Sequence, residues 1–189
     1  MTYALLAALL AAPACAGVTV SSASIEVSIS AIKGRPVFHA VETLLLPPDA
    51  KPAARLRAVL SVDNDGPRAE SGAVVRYALS ARVRRVGEAG EGQWTVPFLL
   101  EERHLPQVKR GRGVPVNLPF NRVAIVQHLK TLRSAGYWPD ALRLEAVFAP
   151  RAGESLEGRT AAKTIPVDWK PAAAKTAAAP AAPVAPAAP

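Results

Sequence analysis

Apolar and polar residues alternate with a period of two along most of the central chain. In residues 55–62 (RLRAVLSV), Leu56, Ala58, Leu60 and Val62 share one face. In residues 73–86 (AVVRYALSARVRRV), Val75, Tyr77, Leu79, Ala81 and Val83 share one face, while Arg76, Arg82 and Arg84 fall on the other. That period belongs to an extended strand with one buried side. The intervening DNDGPRAESG consists of turn formers. The two stretches are therefore expected to form a hairpin with a long tip, as two central strands of the fold.

The same pattern recurs on both sides. Residues 18–29 alternate, but the phase slips between Val20 and Ile25, which predicts a bulge or a strand that changes sheets. Residues 37–46 read as a further strand, ended by Pro47-Pro48. Residues 93–100 place Trp94, Val96, Phe98 and Leu100 on one face, which predicts a strand filling the core centre. Residues 101–113 (EERHLPQVKRGRG) are polar and basic and read as a loop. In residues 114–120, Pro115 and Pro119 alternate with inward Val114, Val116, Leu118 and Phe120; prolines cannot donate to a ladder, so an edge strand is expected. Residues 142–148 and 161–169 give the last two strands, with Ile165, Val167 and Trp169 inward.

One stretch changes period. Ile125, Leu129 and Leu132 follow helical spacing, Asn121 is placed to cap, and Gly136 to close the helix in the left-handed conformation. The prediction is an all-β antiparallel sandwich of seven or eight strands, with one short helix (about 122–135) before the penultimate strand. The arrangement resembles an immunoglobulin-like or fibronectin type III-like sandwich in architecture, although the buried cysteine pair of antibody domains is absent.

Composition changes the picture mainly at the ends. Residues 4–12 (ALLAALLAA) form an apolar run too short to span a bilayer but suited to a signal-peptide core, although no Lys or Arg precedes it. Three readings stand: cleavage after Ala16, acylation of Cys15, the chain's single cysteine, or an uncleaved segment buried in a partner. Ala14-Cys15 resembles the end of a bacterial lipobox, while Ala12 and Pro13 depart from it. Residues 1–16 are thus expected to be a leader and 17–169 the folded domain. Residues 170–189, nearly all Ala and Pro, are expected to be a disordered tail. The protein is expected to be exported: periplasmic, outer-membrane-associated or extracellular.

A net charge of +8 favours anionic partners, and it also suits arginines that solvate the outer faces of strands. The most distinctive polar feature is the set Arg103, His104, Lys109, Arg110 and Arg112, a candidate anion-binding loop for an acidic glycan or a lipid headgroup. Export and the lack of an aromatic within that loop argue against nucleic acid. Three histidines (His39, His104 and His128) stand far apart without partners at ligand spacing, so no metal is assigned; His39, alternating with Val37 and Val41, reads as half-buried. Asp63-Asn64-Asp65-Gly66 suits a tight turn better than a calcium loop, because its Gly is fourth rather than sixth. GEAGEG (87–92) does not lead a strand into a helix, and no nucleophile elbow occurs, so neither a cofactor nor catalysis is expected. The expectation is a non-catalytic envelope protein whose partner is another envelope protein, with anion binding by the basic loop, or an unrecognised enzymatic site, as alternatives.

Overall fold

The computed structural model describes residues 17–28, 36–48 and 55–169; the expected leader with Cys15 and the expected tail lie outside the described residues. In chain order the elements are β1 (Val18–Ser28), β2 (His39–Ala40), β3 (Leu44–Leu45), β4 (Arg55–Asn64), β5 (Glu70–Arg85), β6 (Gln93–Trp94), β7 (Leu99–Val108), β8 (Gly111–Pro119), α1 (Arg122–Ser134), β9 (Tyr137–Phe148) and β10 (Thr160–Asp168). They form two sheets. One has the order β2-β1-β4-β8; the other runs β3-β10-β9-β5, with β6 and β7 both pairing the far side of β5. All pairs are antiparallel except β3 with β10. Ile25, Leu60 and Leu118 from the first sheet share one core with Leu79, Leu144, Phe148 and Ile165 from the second. The fold is thus mostly β, in two layers that do not close into a barrel.

Several expectations are met. The phase slip in the first strand is a bulge: Val20 pairs with Val62 but Ser22 with Ser61, leaving Ser21 unopposed. Strand β8 is an edge strand, with Pro115 and Pro119 exposed. Asn121 caps α1, accepting from the Val123 and Ala124 N–H groups at 3.0 and 3.3 Å. Gly136 ends the helix with φ 78° and donates to the Arg133 carbonyl at 3.0 Å.

The expected hairpin is not formed. Strands β4 and β5 are each central, but in different sheets: β4 lies between β1 and β8, and β5 between β9 and the β6/β7 edge. Alternation reports one buried face per strand, and a strand facing another across a core alternates just as one paired beside it does. What fixes the crossing is Asn64, only 2% exposed. Its Oδ1 accepts from the Gly66 N–H at 3.0 Å, and its Nδ2 donates to the Arg68 and Val108 carbonyls at 3.2 Å each. Asn64 thereby ties the β4–β5 crossing to the end of β7, where the chain makes its second crossing, into β8.

Residues 101–113 are not a loop but most of β7 and the start of β8, with only Lys109 and Arg110 between them. Their alternation was hidden because Glu101 and Arg103 occupy inward positions. Charged inward residues suit an edge strand, and both find partners. The Tyr77 hydroxyl donates toward Glu101 Oε2 and the Pro119 carbonyl, 2.8 Å from each. Arg103 donates to the Asn117 carbonyl. Side chains thus bridge the edges of the two sheets where no ladder does.

Two other segments differ. Residues 37–46 split into β2 and β3, one on the edge of each sheet, so this segment passes from one layer to the other. Residues 93–100 do not fill the core: Val96 is 82% and Leu100 77% exposed, while Leu99, in the opposite phase, is buried. The core indole belongs to Trp138, whose Nε1 donates to the Leu46 carbonyl at 2.8 Å. Strand β9 begins at Tyr137, five residues before the predicted start, and a register shift near its beginning leaves Asp140 unopposed. Asp140 there accepts from Arg82 Nε at 2.8 Å and the Gly92 N–H at 3.0 Å.

Asn64→Ala should destabilise the protein by about 2 kcal/mol in urea denaturation, because it strands a buried N–H and two carbonyls. Asn64→Asp should cost at least as much, since it sets a carboxylate against those two carbonyls. Wild-type stability for both variants would contradict the role given to Asn64.

Candidate ligand-binding cavity

The five basic residues singled out in the sequence are spread over two edges. Arg103 and His104 are successive residues of β7 and so point to opposite faces. Arg103 is engaged by the Asn117 carbonyl, and His104 Nε2 lies 3.0 Å from Glu102. Arg76 in turn bonds Glu102 at 2.8 Å, and that bond holds the Glu102 carboxyl below its usual pKa. Arg112, on β8, lies 3.7 Å from Asp65. Only Lys109 and Arg110 of the five, both exposed at the turn, have neither an ion partner nor a hydrogen-bond partner among the described residues. Asp63 and Asn64, weighed as calcium ligands, act within the fold; Asp63 Oδ1 accepts from the Gly113 N–H at 2.7 Å. His39 is exposed rather than half-buried. Among the described residues no group of three His, Cys, Asp or Glu side chains is arranged to hold a metal, and no helix is long and apolar enough to cross a membrane.

A concave feature among the described residues lies elsewhere, at the end of the sandwich away from Asn64. Here both sheets, α1 and the β3 segment meet around it. They enclose a cavity of about 750 Å³. Its walls are Leu56 of β4, Leu79 and Ala81 of β5, Leu142 of β9, the Leu44–Leu46 run, Phe98 and Phe120, with Ile125, Val126 and Leu129 contributed by α1. Arg55, Arg57, Arg122 and His128 are the charged or titratable lining residues, and no carboxylate joins them. This volume lies within the range of about 300–1,000 Å³ typical of sites that bury most of a small ligand.

No family model and no curated protein matches this chain.

The local reasons for the cavity are legible in the structure. The inward row of β5 steps from Tyr77 and Leu79 down to Ala81, and the loss of side-chain volume leaves room beneath α1. The helix buries only Ile125 and Leu129 deeply; Val126 stays half-buried over the space. His128 is held flat against Phe98, with ring centroids 4.0 Å apart and planes 4° from parallel. Its Nε2 is buried without a hydrogen-bond partner, and burial lowers its pKa. The ring is therefore a neutral aromatic wall at pH 7. Arg57 is also engaged, 2.6 Å from Glu26 and with its guanidinium 4.0 Å from the Phe38 ring centre.

Sequence reasoning found none of this as a site, because the lining comes from seven separate segments. The available signals were the small Ala81 in a row of large inward residues and the apolar run 44–46.

His128 predicts a pH dependence. Its folded pKa lies below the unfolded value of about 6.5. Between those two values the unfolded chain binds more protons, so stability is lost as pH falls from about 6.5 toward the folded pKa. The wild-type melting temperature should drop between pH 7.5 and 5. His128→Phe, which keeps the stack on Phe98, should reduce that drop; an identical pH profile in the variant would contradict the assignment.

Proposed function

We propose that this is a non-catalytic, exported binding protein of the cell envelope, which holds an apolar ligand in the cavity beneath α1. The observation that carries the reading is the cavity itself: about 750 Å³, walled by aliphatic and aromatic side chains and joined to charge only at a few arginines. Export follows from the leader-like residues 1–16 and stands or falls with them.

The finer fold assignment is part of the same proposal. The major strands order as β1-β4-β8 and β10-β9-β5-β7. Lettered in chain order as A, B, C, C′, E, F and G, these are sheets A-B-E and G-F-C-C′, with α1 in the E–F connection. That order supports an immunoglobulin-like or fibronectin type III-like sandwich. In such folds binding is carried by whatever a particular chain grafts onto the scaffold, and in this chain the helix-roofed cavity is such an addition. Anion capture by residues 103–112 is the weaker reading, because three of its five side chains already have partners within the fold.

N-phenyl-1-naphthylamine, a neutral apolar fluorophore, should bind the full chain saturably at one site. Val126→Trp, which fills the cavity from the helix, should weaken that binding at least tenfold without lowering the melting temperature. Val123→Trp, on the exposed side of the same helix, should leave it unchanged. Absence of saturable binding, or equal binding by Val126→Trp, would contradict the reading.

A further inference from the structure

The nature of the occupant can be narrowed, given that the cavity binds a ligand. Of its three arginines, Arg57 is engaged by Glu26 and Phe38. Arg55 and Arg122 are exposed and have no ion or ring partner among the described residues. Both line the cavity. Arg57 pairs with Pro119 across β4 and β8, so the start of β4, with Arg55, and the end of β8, which leads into α1 at Arg122, lie at the same end of the sheet. Two cations with no ion partner among the described residues thus line an apolar chamber with no carboxylate among its described lining residues.

The chain's entry into the fold lies far from this chamber. Val18 pairs with Asn64 and Ser28 with Arg55, so the whole length of β1 separates the chain's entry from the cavity. Ten residue steps of strand span roughly 33 Å. Residues 170–189 follow Trp169, whose Nε1 donates to the carbonyl of the lining residue Pro139 at 2.6 Å. That segment, however, offers nothing apolar larger than Val184, and it carries two lysines that Arg55 and Arg122 would repel.

We propose that the cavity takes the hydrocarbon chain of a single-chain anionic amphiphile, a fatty acid or its like, with the anionic head at Arg55 and Arg122. The apolar walls supply affinity that grows with chain length, and the two arginines set the polarity of the head and the direction of entry. Recognition rests on charge at an exposed rim, so it should weaken with added salt.

The test compares tetradecanoate, tetradecanol and tetradecylammonium by competition against the bound fluorophore, in the full chain. Tetradecanoate should bind about tenfold more tightly than the alcohol, and the ammonium more weakly than either. Shortening the carboxylate should weaken binding by roughly fourfold per methylene. In Arg55→Gln/Arg122→Gln the advantage of the carboxylate over the alcohol should vanish while the alcohol's affinity stays; the double Glu variant should favour the ammonium. If the alcohol binds as tightly as the acid in the wild-type protein, the anionic-head proposal is overturned and the cavity reading survives. If none of the three binds, both fail. Truncation after Trp169 should leave affinity unchanged; a several-fold gain would identify the tail as the native occupant and overturn the proposal.

Discussion

The architecture depends on one buried amide. Asn64 sits where the chain leaves the first sheet for the second, and its three hydrogen bonds reach the crossing itself and the end of β7. Two passages between the layers, β4 to β5 and β7 to β8, are thereby gathered at one end of the sandwich. A buried amide with a partner for each polar atom specifies this arrangement more sharply than apolar packing, because a slipped register would leave donors and acceptors unsatisfied.

The opposite end is built differently. The chain crosses there from β2 to β3, and α1 and the β3 segment line the space between the sheets. A helix laid across the mouth of two sheets cannot interdigitate along its whole length, and Ala81 withdraws volume where it would have to. The cavity is the consequence. Its polar content is distributed with some economy: His128 is neutral and stacked, Arg57 is paired, and Arg55 and Arg122 have no ion partner among the described residues. One end of the molecule therefore holds the layers together, and the other encloses the cavity.

What could be read in the sequence followed from local rules. The β1 bulge showed itself as a phase slip among Ser21–Ser24, the helix as a change of period with Asn121 and Gly136 at its ends, and the β8 edge as alternating prolines. Pairing was not legible: alternation in 55–62 and 73–86 is the same whether the strands lie side by side or face to face, and only the contacts of Asn64 decide. Strand β7 was missed because Glu101 and Arg103 stand at inward positions, with partners (Tyr77 and Asn117) that are distant in sequence. For the same reason the basic loop was read as one patch, although strand geometry divides it. The cavity left almost no trace, since a void is defined by residues absent from a space that seven separate segments surround.

The most direct measurement is an amide proton–nitrogen correlation spectrum of the full chain titrated with tetradecanoate. The account predicts shifts concentrated at Ile125, Val126, His128 and Leu129 on the helix, and at Arg55, Leu56, Leu79 and Ala81 facing it. Shifts confined to residues 103–112, or to the exposed group Trp94, Val96 and Leu100, would contradict it.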